Sequence, residues 1–198
     1  MPSFQPLTQR DIDDQSWDTR YPSDLQQAAE FHFAPLSIVE HAAAWLADTE
    51  AASILDIGAG AGKFCVRAAE LHPHAQWVGV ELRARLVREA QRWIDAMGLD
   101  NCQVYQGEAT ESSLAGFTGA FIYNPFYEAT DPKLALDAEL VGGHDSYAER
   151  CAALRQNLSH VPRGFRLVSY FCYGPELPDT LQRVWEAADG KLIGWVMP

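Results

Sequence analysis

Ile54-Leu55-Asp56-Ile57-Gly58-Ala59-Gly60-Ala61-Gly62-Lys63-Phe64 is a buried-type apolar strand that opens through three glycines directly into a helix. Glycine accepts positive φ and lets a ligand approach the backbone where a Cβ would clash. The helix start offers free N–H groups to an anionic group. Glycine spacing decides between ligands. A dinucleotide loop of the G-x-G-x-x-G kind needs its third glycine at position 63, which is Lys63; here glycines stand at 58, 60 and 62. Asp56, two residues before the first glycine, would face a diphosphate badly and suits a ligand that carries a cationic amino group.

Outward from this loop the chain alternates between strands and helices. ASILDIG (52–58) is the first strand, FCVRAAELH (64–72) a helix, QWVGVEL (76–82) the second strand, and LVREAQRWIDAMG (86–98) a helix closed by Gly98. CQVYQGE (102–108) and GAFIYNPF (119–126) are the third and fourth strands, followed by a helix near 145–158 and the strand RLVSYFCY (166–173). Asp189-Gly190 between two apolar stretches signals a C-terminal antiparallel hairpin, with a helix over 180–188 as the alternative. This order predicts an α/β fold: a doubly wound, mainly parallel seven-stranded sheet with helices on both faces. Upstream, SIVEHAAAWLA (37–47) is an amphipathic helix, and a helical pattern from Asp24 breaks before Pro35. Residues 1–24 are acidic and Pro-flecked, with Trp17 and Tyr21 as their large apolar side chains. They read as an irregular arm with room for one helical turn, mobile until a ligand orders it as a lid, or else a solubilising tail. The expected division is an acidic arm and helix over 1–30 and a single domain over 31–198.

The 198 residues carry 15 basic and 27 acidic side chains, a net charge of −12. Only three of the basic residues are lysines (Lys63, Lys133, Lys191), so a chain that grips bare nucleic acid through phosphate neutralisation is not expected. The arginines at 83, 85, 88 and 92 are expected to form a solvated helix face, paired partly with Glu89 and Asp95. Cys65, Cys102, Cys151 and Cys172 make no C-x-x-C pair and read as reduced, buried thiols. His72 and His74 lack a third ligand nearby, so no metal site is expected. No apolar run approaches a membrane span, and the first residues have neither the basic nor the apolar region of a signal peptide. A cytoplasmic protein without membrane association is expected.

The pattern from Ile54 to Gly62 resembles the first motif of the class I S-adenosylmethionine-dependent methyltransferases, and the predicted sheet is their Rossmann-like fold. In that family the loop wraps the amino-acid part of the cofactor, and the acidic residue contacts its amino group. Glu81-Leu82 ends the second strand, where an acid can accept from ribose hydroxyls or merely cap the next helix. Gly107-Glu108-Ala109 resembles the family's G-D-A, whose acid reads the adenine amino group. Phe31-His32-Phe33-Ala34-Pro35 resembles an F-x-T-P segment of the amino-group methyltransferases, with Ala34 in place of the threonine. The resemblance implies cofactor contacts from Phe33, Pro35, Asp56, Gly58, Ala59, Gly60, Gly62, Phe64, Glu81, Leu82, Glu108, Ala109 and Asn124.

Asn124-Pro125-Phe126-Tyr127 resembles the [DNS]-P-P-[YF] motif of methyltransferases acting on amino or amide nitrogens, with Phe126 replacing the second proline. These four residues are the candidate catalytic set. In that family the first side chain and the next carbonyl accept from the target NH2, and the aromatic ring stacks on its planar carrier. Acceptors placed there favour the developing ammonium of the transition state. His144, in Gly142-Gly143-His144-Asp145, is a further candidate base, although water can also take the proton. The implied activity is methyl transfer from S-adenosylmethionine to nitrogen on a protein, a small molecule or RNA presented by a partner. The alternatives are a non-catalytic S-adenosylmethionine-binding regulator and, less well matched by the glycines, an NAD-dependent oxidoreductase.

Overall fold

A computed structural model describes residues 12–49, 51–129, 135–136, 143–172 and 174–198. The strands are β1 (Ser53–Ile57), β2 (Gln76–Glu81), β3 (Cys102–Gln106), β4 (Gly119–Tyr123), β5 (Arg166–Tyr170), β6 (Gln182–Ala187) and β7 (Leu192–Val196). The helices are α1 (Asp14–Asp18), α2 (Ser23–His32), α3 (Leu36–Leu46), α4 (Lys63–Leu71), α5 (Ala84–Met97) and α6 (Gly143–Leu158). One sheet holds the seven strands in the order β3-β2-β1-β4-β5-β7-β6. The first five are parallel, and β7 runs antiparallel between β5 and β6.

Both faces of β1, β2, β4 and β5 are buried, so each of these strands serves two cores by alternation, while the edge strand β3 leaves one face exposed. Ile54 of β1 and Phe121 of β4 face the helices α3, α4 and α5, whereas Leu55, Ile57, Ala120 and Ile122 face α6 with its Leu154 and Leu158. Phe64 of α4 stacks flat on Phe121, with ring centroids 4.0 Å apart. Two glycines set the spacing behind the loop. A Cβ on Gly62, which has φ +80, would lie 2.7 Å from Cβ of Ala90 in α5, and one on Gly79 would lie 2.6 Å from Cβ of Ala59. Each is therefore a close-packing point. Helix α5 ends as its glycine suggests, with Gly98 at φ 62 and Leu99 N donating to the Ile94 carbonyl (3.1 Å).

The C-terminal segment forms the hairpin rather than the helix over 180–188. Ala188, Asp189 and Gly190 turn in the left-handed region (φ 50, 54 and 77). Trp185 lies across Gly194, where any Cβ would meet the indole at 2.2 Å, and stacks on His41 of α3 (4.9 Å). All four cysteines are buried free thiols. Among the described residues no helix is long and apolar enough to cross a membrane.

The acidic N-terminal stretch differs from the loosely held arm read from composition; residues 1–11 lie outside the described residues. Asp13 caps α1 by accepting from Ser16 N (2.7 Å), and Trp17 and Tyr21 are buried in the core. The Lys63 ammonium, itself buried, donates to Asp14 (2.7 Å) and Asp18 (2.9 Å). Asp14 also accepts from Leu36 N (2.9 Å), so one carboxylate joins α1, α3 and α4. Burial outweighs the lysine at Asp18 and raises its carboxyl above the ordinary value. Charge here is an anchor, which composition alone does not reveal.

Candidate functional site

Strand order reverses between β1 and β4, whose neighbours lie on opposite sides, and this switch point opens a crevice at the carboxyl ends of the strands. The glycine loop leaves β1 on one side of the crevice and Asn124 leaves β4 on the other. Gly58 N and Ala59 N donate to the Val80 carbonyl (3.1 and 2.9 Å), which pins the loop to β2. Glu81, buried at the end of β2, accepts from Gly60 N through Oε2 (3.0 Å) and from Arg83 N through Oε1 (2.9 Å). It therefore clasps the loop and caps α5 together. Each carboxylate oxygen still has acceptor capacity for another donor.

The cleft is lined by Phe33, Gly58, Gly60, Glu81, Leu82, Glu108, Ala109, Asn124, Pro125, Phe126 and Tyr127, all of them sequence candidates. Pro35, Asp56, Ala59, Gly62 and Phe64, also expected at the cofactor, are placed behind its walls. Pro35 precedes α3, Ala59 packs toward Gly79, Gly62 packs on α5 and Phe64 packs on Phe121. Alternation along β1 turns Asp56 into the helix-side core, where the Cys65 thiol lies 3.5 Å from its carboxylate. Burial, partly offset by that thiol and reinforced by Glu81, pushes its carboxyl from 3.8 up to about 7. Phe33 covers the loop instead, its ring 3.4 Å from the point where a Gly60 Cβ would stand. The side chain of His144 is outside the described residues.

The loop after β4 departs from a two-proline turn. Asn124 and Phe126 have φ 36 and 68. Proline is locked near −65°, so this backbone has no place for one at position 126. Asn124 N donates to the Tyr170 carbonyl (2.9 Å), tying the loop to β5. Phe126 packs against the α6-side core with the Arg150 guanidinium 6.0 Å from its ring. The Tyr127 hydroxyl donates to the Phe31 carbonyl (3.2 Å) at the end of α2. Burial, with Glu128 and Tyr123 nearby, raises that phenol to about 12.

Among the lining residues that escaped the sequence reading are His32, Arg83, Tyr123, Glu128 and Arg150. Arg83 is not on the solvated face of α5; it stands at the residue before that helix and reaches across the cleft to Glu128, while contacting Glu81 at 3.5 Å. Arg85 and Arg92 do pair on the surface, with Asp24 and Glu89. Glu128 also faces His32 (3.5 Å) and accepts from Leu136 N (3.1 Å). Burial alone would raise the Glu128 carboxyl, but His32, Arg83 and that N–H together hold it below the ordinary value. No motif marks these residues, because each is an ordinary polar side chain until the fold joins them.

A family described as "Putative methyltransferase" matches residues 50–120. Two tRNA (guanine-N(7)-)-methyltransferases from Synechococcus strains are 49% identical over 47 residues, which is 24% of this chain and 20% of theirs. The match thus spans about a fifth of the length of these relatives. Among solved structures, an RNA methyltransferase from Salinibacter ruber in complex with S-adenosyl-L-homocysteine is similar, with a TM-score of 0.60 and 24% identity over 83% of this chain and 93% of that one. TrmN from Thermus thermophilus gives a TM-score of 0.62 and 15% identity over 87% of this chain and 52% of that one. The fold of this chain is the one these solved structures share, a Rossmann-like seven-stranded sheet with helices on both faces.

Proposed function

We propose that this chain is an S-adenosylmethionine-dependent methyltransferase that methylates a nitrogen on a planar carrier, with RNA as the acceptor class. The observation that carries the reading is the clasp of Glu81 on Gly60 N across from Asn124, in one cleft at the switch point. The family description and the names of the relatives support methyl transfer, and those names favour RNA.

The residues present fit the cofactor. Nothing lies within 4 Å of the point where a Gly58 Cβ would stand, so the loop is open on that side. Glu81 would take the ribose hydroxyls, and Glu108-Ala109 would border the adenine. When bound, S-adenosylmethionine supplies a sulfonium methyl open to in-line displacement. The chain's own task is to hold the acceptor nitrogen in that line and keep the site dry, since positioning is a large part of such a rate enhancement. Asn124 would accept from the acceptor N–H, and the Tyr127 ring would border its planar carrier.

Methyl-labelled S-adenosylmethionine added with the protein to fractionated cell extract tests this. Label should enter a fraction sensitive to ribonuclease and resistant to protease, and nucleoside analysis should place it on nitrogen. Label in protein would move the acceptor class. Binding of S-adenosylmethionine without label in any fraction would favour the regulator, a reading in keeping with the Arg83–Glu128 bridge across the acceptor side.

A further inference from the structure

His32 ends α2 with only 10% of its side chain exposed, and its ring lines the same cleft as Asn124. Its Nδ1 lies 3.5 Å from Glu128 Oε1 and 3.4 Å from the Tyr127 oxygen. The Tyr127 hydroxyl hydrogen is directed to the Phe31 carbonyl, so its oxygen presents a lone pair to the imidazole. With the hydroxyl hydrogen on the Phe31 carbonyl, both neighbours of Nδ1 act as acceptors, an arrangement that favours the ring proton on Nδ1 and a bare Nε2. Among the described residues no hydrogen bond is made to Nε2, and His32 is one of the residues that line the cleft. A carboxylate on one nitrogen and an open lone pair on the other is the arrangement of an oriented base. Glu128 is itself held in place by its bridge to Arg83 and by the Leu136 N–H. Among the described residues the charged and titratable groups that face His32 are Glu128 and Tyr127 from the turn after β4, and Arg83 through Glu128.

We propose that His32, oriented by Glu128, takes the proton from the acceptor nitrogen, and that this nitrogen therefore carries hydrogen as an amino or amide group. A bare ring nitrogen such as guanine N7 has no proton to give and needs no such base. The proposal rests on the methyl-transfer reading. In the step, the nitrogen lone pair forms the N–CH3 bond while the C–S electron pair stays on sulfur. The N–H bond then breaks, its pair remains on nitrogen, and the proton goes to Nε2. The imidazolium afterwards releases it to water.

Two measurements test this. Nitrogen-15 NMR of the histidine-labelled, unliganded protein at high pH, assigned with His32→Gln, should show His32 with hydrogen on Nδ1; the opposite tautomer overturns the proposal without any acceptor. With the RNA fraction that takes label, His32→Gln should lower kcat by about 10²–10⁴-fold and flatten the acidic limb of the pH–kcat profile. KM for S-adenosylmethionine should stay within about twofold, because a proton acceptor acts after cofactor binding. Added imidazole should restore turnover to His32→Gly. Glu128→Gln is the second variant, expected to lose less than the roughly 10²-fold low end for the base itself, because it acts only through His32. Full turnover in His32→Gln, or a product methylated at a ring nitrogen, overturns the proposal alone. Absence of label from the wild-type protein instead overturns the methyl-transfer reading on which it rests.

Discussion

Asp56 is a carboxylate that the fold holds away from water, and its behaviour with pH follows. Its carboxyl is raised from 3.8 to about 7, chiefly by burial. A raised carboxyl stabilises the folded state fully below its unfolded value and loses that contribution as pH climbs through the folded one. Between those values each pH unit removes up to about 1.4 kcal/mol. Asp56→Asn abolishes the titration and keeps an oxygen for the Cys65 thiol. Its melting temperature should gain on wild type as pH rises from 5 to 7 and hold a constant lead above that; a lead independent of pH would show Asp56 to be ionised throughout. Phe126 offers a backbone test of the same directness. Alanine and glycine remove the same ring, so the two variants differ only by a Cβ at φ 68. Phe126→Gly should be more stable than Phe126→Ala by about 1 kcal/mol in urea unfolding, the reverse of their order in regular structure. The missing second proline was visible in the sequence, but its reason is this dihedral, which no residue pattern displays.

Helix α1 is five residues long and cannot persist alone, so its place depends on what holds it. The buried Lys63 ammonium, with Asp14 and Asp18 around it, is the strongest of those holds. Lys63→Met leaves two carboxylates facing an apolar end. The expected loss is about 3 kcal/mol, the low end for a broken buried pair, because Asp14 is half exposed. Hydrogen exchange should quicken through α1 and α2. S-adenosylmethionine affinity should fall as well, since Tyr21 packs on Phe33 (5.2 Å) and Phe33 covers Gly60. Unchanged exchange in α1 would make the lysine incidental. The strands and α4 to α6 were legible because apolar runs, glycines and helical periodicity are local signals. The hairpin was legible from Asp189-Gly190. The anchoring of α1 was not, because the partner of Asp14 stands 49 residues away. The cleft shows the same division: the glycine loop, Glu81 and Asn124 stand in motifs, whereas Arg83, Glu128 and His32 meet only through the fold.

Taken as a whole the molecule is an anion of net charge −12, and many of its arginines are spent on its own acids. Arg67 holds Glu40 and Glu70, Arg155 holds Asp179, and Arg183 holds Glu186. Among the described residues the arginines and lysines lining the cleft are Arg83 and Arg150, the first already bridged to Glu128. An RNA acceptor would therefore meet few free cations among the described residues around the site, in contrast to the stripes of lysine and arginine that usually track a phosphate backbone. Counterion release fixes what this means for salt. Two phosphates neutralised on a single strand give a slope of about −1.4 in log affinity against log salt. A rise from 50 to 200 mM salt should then weaken acceptor binding by no more than about sevenfold. Titration of the labelled RNA fraction against the isolated chain measures that slope directly. A loss of about 10³-fold or more would require about seven or more phosphate contacts on a single strand and a basic surface that the described residues do not present around the cleft. A shallow slope together with weak affinity, sharpened when extract protein is returned, would place the missing cations on a partner that presents the RNA. Acidity and an RNA acceptor are then compatible, because the chain supplies the chemistry of the cleft and another surface supplies the grip.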